Sequence, residues 1–143
     1  MILSQTAVYA LKAVLHLSES EGDELARVDD IAQALDVPRN YLSKILHVLA
    51  RDGVLASTRG PRGGFRLAVD ASELTLERIV DPFDEVVAGS GCLLGRERCS
   101  DLNPCAAHAR WKSVSDSVRA FFRETTVEGL SEHGGAIPEG DRP

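Results

Sequence analysis

Cys92, Cys99 and Cys105 fall within fourteen residues, and His108 follows the last of them by about one helical turn. Thiolates and an imidazole gathered in a short, glycine-bearing segment, Gly91-Cys92-Leu93-Leu94-Gly95 through Asn103-Pro104-Cys105, have the chemistry of a metal or iron-sulfur site. A disulfide framework normally uses an even number of cysteines spread across a fold, whereas this chain has three cysteines in all. Zinc takes the same set of three thiolates and one imidazole. Two other readings stay open: thiols that carry no metal and respond by disulfide formation, and small hydrophobic side chains that merely lie close together. Cys105 and His108 are three apart, so in the first turns of a helix they would share one face.

A second feature is electrostatic. The chain carries a net charge of -6, which by itself argues against a nucleic-acid partner. Between Arg39 and Arg66, however, six basic residues (Arg39, Lys44, Arg51, Arg59, Arg62, Arg66) face one acid, Asp52, a local charge of +5. That segment is where a polyanion would bind.

Both features need elements to position them. At 143 residues the chain can bury one core and carry an appended element. Ser4 is placed to cap a helix in which Val8, Leu11 and Leu15 form the stripe and Ala7, Val14 and Leu17 widen it. A short helix from about Val28 to Leu35 turns Ile31, Ala32 and Leu35 inward, and Asp36-Val37-Pro38 breaks it. A second runs from near Pro38 to about Asp52, with Leu42, Ile45, Leu46 and Leu49 inward and Gly53 at its C-terminal end. Two short helices around a tight turn predict a helix-turn-helix.

Val54 to Thr58 and Phe65 to Ala68 then flank Arg59-Gly60-Pro61-Arg62-Gly63-Gly64, a β-hairpin whose tip holds glycines, a proline and two arginines. It reads as the wing of a winged helix, against the plainer alternative of a solvated surface hairpin. A phosphate-gripping nucleotide loop would need a buried strand before the glycines and a helix after them, and neither is present. Thr75 can cap a helix from about Leu76 carrying Ile79 and Val80, ended or bent at Pro82. Beyond the cysteines, Asn103 as N-cap and Pro104 in the first turn predict a long helix to about Thr125, with Trp111, Val114, Val118, Phe121 and Phe122 along one stripe. That stripe either packs back on its own subunit or pairs with the same helix of a second copy. His16, His47 and His133 read as surface or satisfied histidines.

The opening Leu3-Ser4 with Tyr9-Ala10-Leu11, Asp30-Ile31-Ala32, Tyr41-Leu42, Arg59-Gly60-Pro61 with Gly63-Gly64-Phe65, and Cys105-Ala106-Ala107-His108 with Trp111 resemble the Rrf-two family of winged-helix bacterial regulators over residues 1 to 132. The likeness is greatest to its iron-sulfur cluster regulators, although six residues rather than five separate Cys92 from Cys99. The resemblance implies a homodimeric, non-enzymatic transcription factor that binds a double-stranded DNA operator. Its second motif helix would carry Arg39, Asn40, Tyr41, Ser43 and Lys44 into the major groove, and the wing would set Arg59, Gly60 and Arg62 against the flanking backbone or minor groove.

It also implies a cluster held by Cys92, Cys99, Cys105 and His108, acting as a switch rather than a catalyst. A 2Fe-2S centre suits that set best, with 4Fe-4S or zinc as the other candidates. A carboxylate ligand from a partner's first helix is disfavoured, because residues 1 to 18 contain no Asp or Glu. Trp111, Val114, Val118, Phe121 and Phe122 would form the dimerisation stripe.

The organisation expected is a mostly α fold with a small β-hairpin wing: a DNA-binding winged helix-turn-helix over 1–84, a cysteine-rich loop over 85–103, a dimerisation helix region over 104–132 and a disordered tail over 133–143. The first residues lack a signal peptide's basic and apolar regions and no apolar run reaches membrane-spanning length, so a cytoplasmic protein without a membrane partner is expected. A small iron-sulfur carrier is the rival function from another class, and it would leave the basic wing unexplained.

Overall fold

The computed structural model describes residues 3–20, 24–84, 93–94 and 100–132. Its elements run α1 (Gln5–Ser18), α2 (Val28–Leu35), α3 (Arg39–Arg51), β1 (Leu55–Thr58), β2 (Gly64–Leu67), α4 (Leu76–Val80), α5 (His108–Glu124) and α6 (Val127–Glu132). Residues 133–143, read from sequence as a disordered tail, lie outside the described residues, as does most of the cysteine segment.

Ser4 caps α1 as its residue type predicts, its Oγ accepting from the Ala7 N–H at 3.2 Å. The buried line of α1 is nevertheless rotated from the expected stripe. Ala7, Ala10, Ala13, Val14 and Leu17 are buried, while Val8, Leu11 and Leu15 are half-buried. The cause is crowding: α1 touches α2, α3, α4, α6 and β2, and its small alanines permit that close approach on several sides.

The helix-turn-helix forms between α2 and α3. Asp36 ends α2 in the left-handed region at φ 52°, and the Val37 N–H donates back to the Ala32 carbonyl at 3.0 Å. The four expected positions of α3, Leu42, Ile45, Leu46 and Leu49, are all buried. The chain then enters an antiparallel hairpin with Leu55 opposite Leu67 and Thr58 opposite Gly64. A feature without a periodic signature completes the wing. Ala26 pairs with Phe65 through two backbone bonds of 2.9 and 2.8 Å, fastening β2 to the chain entering α2. Gly64 makes that approach possible, since a Cβ there would lie 2.5 Å from the Ala26 carbonyl oxygen.

Thr75 caps α4 through its Oγ1, and Leu76, Ile79 and Val80 are buried. The start of the long helix differs from expectation. Asn103 and Pro104 precede a separate turn closed by the His108 N–H on the Cys105 carbonyl at 3.0 Å, and α5 begins only at His108, with Ala107 as an N-cap that makes no side-chain bond. The Asn103 N–H donates instead to Ser100 Oγ at 3.3 Å. After α5, Thr126 forms a backbone bridge with Thr75, and α6 returns to pack on α1. Phe122 and Val127 therefore belong to the same core cluster as α1, α3 and α4.

Candidate nucleic-acid interface and cysteine-histidine site

The exposed side of α3 presents Arg39, Asn40, Lys44 and His47, with Ser43 half-buried among them. Tyr41 is not in that set. Its hydroxyl is hydrogen-bonded to Thr6 Oγ1, and its ring meets Tyr9 edge-on, so it is half-buried where α3 crosses the start of α1. Tyr41, expected with its neighbours at the DNA-facing end, thus has its hydroxyl and ring engaged by α1. The helical period places it one step round from Asn40, on the side α1 covers.

Arg59, Gly60 and Arg62 occupy the exposed tip of the wing, where Gly60 has φ 104°, a conformation open to glycine. The tip is braced by Arg27, whose guanidinium donates to the Pro61 carbonyl. His47 packs edge-on to Phe65, ring centroids 5.6 Å apart, so α3 and the wing are also joined beneath the exposed surface. Between them lies a cleft of about 450 Å³ whose lining includes Arg27, Asp29, Arg39, His47, Arg59 and Gly60. Asp29 is ion-paired with Arg39. Both side chains are largely exposed, so water screens the pair and a phosphate can displace the carboxylate at small cost. Arg27 escaped the sequence reading, and His47, read there as a surface or satisfied histidine, is exposed on α3 and also lines the cleft. Arg27 acquires its place only through the Ala26–Phe65 bridge, and His47 falls on the Asn40 face at a spacing of seven, a signal that was present in the helical period.

Of the four sulfur and nitrogen donors, Cys92 and Cys99 lie outside the described residues. Cys105 and His108 are brought together by the turn that opens α5, Cys105 half-buried and the His108 side chain only 11% exposed. His108 Nε2 lies 2.8 Å from Asp101 Oδ1, and Lys112 Nζ lies 3.6 Å from Asp101 Oδ2. The bond from His108, with Lys112 beside it, holds the Asp101 carboxyl below the usual carboxylate range. No group of three or more possible ligands sits together among the described residues. The donor chemistry, thiolates with an imidazole anchored by a carboxylate, is what a soft metal centre requires.

The expected α5 stripe divides. Phe122 is buried in the subunit's own core, Trp111 and Val118 are half-buried, and Val114 and Phe121 are 54% and 51% exposed. A shallow apolar groove runs along Leu3, Val114, Val118 and Phe121.

The sequence profile of the Rrf2 (Rrf-two) family, described as an iron-dependent transcriptional regulator, matches residues 3–133. A protein of Aquifex aeolicus (strain VF5) named as a helix-turn-helix-type transcriptional regulator is 37% identical over 132 residues, covering 91% of each chain. The helix-turn-helix-type regulator IscR of Photorhabdus laumondii is 31% identical, covering 91% of this chain and 79% of its own. Among solved structures, CymR, the global cysteine regulator of B. subtilis, superposes with a TM-score of 0.79 at 22% identity over 93% of this chain and 98% of its own. IscR of T. potens superposes with a TM-score of 0.72 at 20% identity over 92% and 86%. These two likenesses establish the winged-helix fold. No helix among the described residues is long and apolar enough to cross a membrane. By its matched length, its fold and its exposed basic helix and wing, the chain belongs to the Rrf2 family of DNA-binding transcriptional regulators and, like the family's other members, is not an enzyme.

Proposed function

We propose that this regulator acts as a homodimer whose operator binding is set by an iron-sulfur cluster held by Cys92, Cys99, Cys105 and His108. The observation that carries the reading is the turn at the start of α5. It presents a cysteine and a well-covered histidine together, at the foot of a helix that bears an unpartnered apolar face. Three thiolates and one neutral imidazole suit a 2Fe-2S centre, and the family's description as iron-dependent supports iron over zinc. When bound, such a cluster supplies a change of charge and ligation on oxidation, nitrosylation or loss.

The remaining steps belong to the chain's own residues. Asp84, directly before residues 85–92, accepts a 2.5 Å bond from the Ser4 N–H at the head of α1. Two residues on, Thr6 is bonded to Tyr41 of α3, and Leu3 borders the α5 groove. Contacts at the head of α1 thus join the root of the cysteine segment, the apolar face of α5 and the recognition helix. A coupling free energy of about 1–3 kcal/mol through such contacts gives a 5- to 150-fold change in affinity.

Anaerobic purification tests the reading. The expected product is coloured, with iron and sulfide in equal number and 2Fe-2S absorption, and Cys92→Ala, Cys99→Ala and Cys105→Ala each abolish the colour. His108→Ala should leave at most a loosely held cluster. Colourless protein containing stoichiometric zinc, or metal-free protein whose DNA affinity follows disulfide formation, would replace this reading with the corresponding one.

A further inference from the structure

Asp101 sits two residues after Cys99 and four before Cys105, on the strip of chain that leads into α5. Its carboxylate reaches the first two turns of that helix, Oδ1 to His108 Nε2 at 2.8 Å and Oδ2 toward Lys112 Nζ at 3.6 Å. His108 and Lys112 are four apart and share one helix face. The two contacts engage both carboxylate oxygens, one of them on the imidazole.

An ionised carboxylate has acceptors only, so the hydrogen in the His108–Asp101 bond belongs to Nε2. A neutral imidazole carries one ring hydrogen. With that hydrogen on Nε2, the lone pair available to a metal is on Nδ1. A metal-binding histidine whose second nitrogen donates to a carboxylate is oriented, fixed in tautomer and made more basic by that partner.

We propose that Asp101 is a positioning residue that locks His108 in its Nε2–H tautomer and so makes Nδ1 the atom His108 offers to the cluster. The inference rests on the ligand set proposed above. Asp101 acts through His108 and touches no cluster atom itself. It is a surface residue, 74% exposed on its side chain, so its replacement leaves the core intact.

The experiment uses the full chain. In metal-free protein with ¹⁵N-labelled histidine at alkaline pH, where an imidazole is neutral, long-range ¹H–¹⁵N correlations report the tautomer of each ring, and His108→Gln identifies the His108 signals. The expected result is the Nε2–H form in the parent, a mixture of both forms in Asp101→Ala, and an intermediate result in Asp101→Asn, whose amide can accept or donate. In reduced, cluster-loaded protein, histidine labelled at Nδ1 alone should give nitrogen hyperfine coupling by pulsed electron paramagnetic resonance. Asp101→Ala should lose iron to a chelator 10- to 100-fold more readily.

A parent His108 in the Nδ1–H form, a tautomer that Asp101→Ala leaves unchanged, or direct coupling through Nε2 would each overturn the proposal. A fixed Nε2–H tautomer in metal-free protein combined with no histidine coupling in loaded protein would uphold Asp101's hold on the ring. That combination would remove His108 from the ligand set instead.

Discussion

Tyr9 of α1 and Tyr41 of α3 meet edge to face, ring centroids 5.8 Å apart with planes at 81°, and the Tyr41 hydroxyl is bonded to Thr6 one turn before Tyr9. An aromatic pair in this geometry contributes about 0.5–1.5 kcal/mol beyond the area it buries. The head of α1 therefore sets how the recognition helix lies on the core. Tyr41→Phe keeps the ring and loses the bond, and chemical denaturation should show a loss of about 0.5–1.5 kcal/mol. DNA affinity should fall with it while the salt dependence of binding stays unchanged, since the Tyr41 hydroxyl is engaged by Thr6 within the subunit. A shallower salt slope for Tyr41→Phe would place the hydroxyl at the DNA after all.

The wing makes a separate, electrostatic prediction. Arg59 is exposed at the cleft between wing and α3, with no acidic partner among its described contacts. Arg59→Ala should weaken binding to every duplex tested and reduce the slope of log affinity against log salt by about 0.9. Fluorescence anisotropy across a salt series reads both numbers. Selection from random duplexes should in turn enrich a roughly two-fold symmetric site, as a dimer requires.

Assembly is tested at the part of the α5 stripe that the subunit leaves uncovered. Phe122 and, in part, Val118 pack on the subunit's own core, so charges there would report folding rather than association. Phe121 is half exposed beside Leu3 and Val114. Phe121→Asp should give folded monomers by light scattering, with DNA affinity reduced at least tenfold through loss of the second half-site contact, because an unpaired charge cannot be buried in the pair. An unchanged dimer would move the interface to another face.

Acid should loosen the join between wing and α4. Asp70 accepts from the Ser72 N–H at 2.9 Å and the Ser72 hydroxyl at 2.7 Å, and these bonds hold its carboxyl below the ordinary value of 3.8. A carboxylate whose folded-state value is depressed contributes stability above its unfolded value and loses it as the pH falls through the folded one. The deficit of Asp70→Ala relative to the parent should be complete at neutral pH, begin to shrink below that ordinary value and vanish only in stronger acid, below the depressed folded-state value. Denaturation midpoints at pH 7 and in strong acid give the comparison, and a deficit independent of pH would assign it to the backbone turn.

Periodic elements were legible in the sequence and single contacts were not. Leu42, Ile45, Leu46 and Leu49 were readable because a helix buried on one side repeats every three or four residues. In α1 the same rule favoured the bulky residues, whereas neighbours on several sides drew the alanines deepest. Asn103-Pro104 carried the residue types of a helix start, but one intervening turn deferred that start to His108. The Ala26–Phe65 and Thr75–Thr126 bridges involve one residue on each side, so no pattern along the chain announces them. For the candidate site, Cys105 and His108 were read as sharing the first turns of one helix, whereas Cys105 lies in the turn that precedes α5; the Asp101 anchor was missed, and Cys92 and Cys99 lie outside the described residues.

The Thr75–Thr126 bridge bears on how this protein can be cut apart. It leaves the Leu76 N–H bonded to the Thr125 carbonyl at 3.0 Å and the Val127 N–H bonded to the Leu74 carbonyl at 2.9 Å, with the Val127 side chain fully buried. A fragment ending at residue 84 would strip backbone partners from the segment that leads into α4 and open the core where Phe122 and Val127 now sit. The reading head is therefore not a detachable cassette: grafting it onto another sensor requires carrying the α5–α6 corner along, either in the same chain or as a separately supplied peptide.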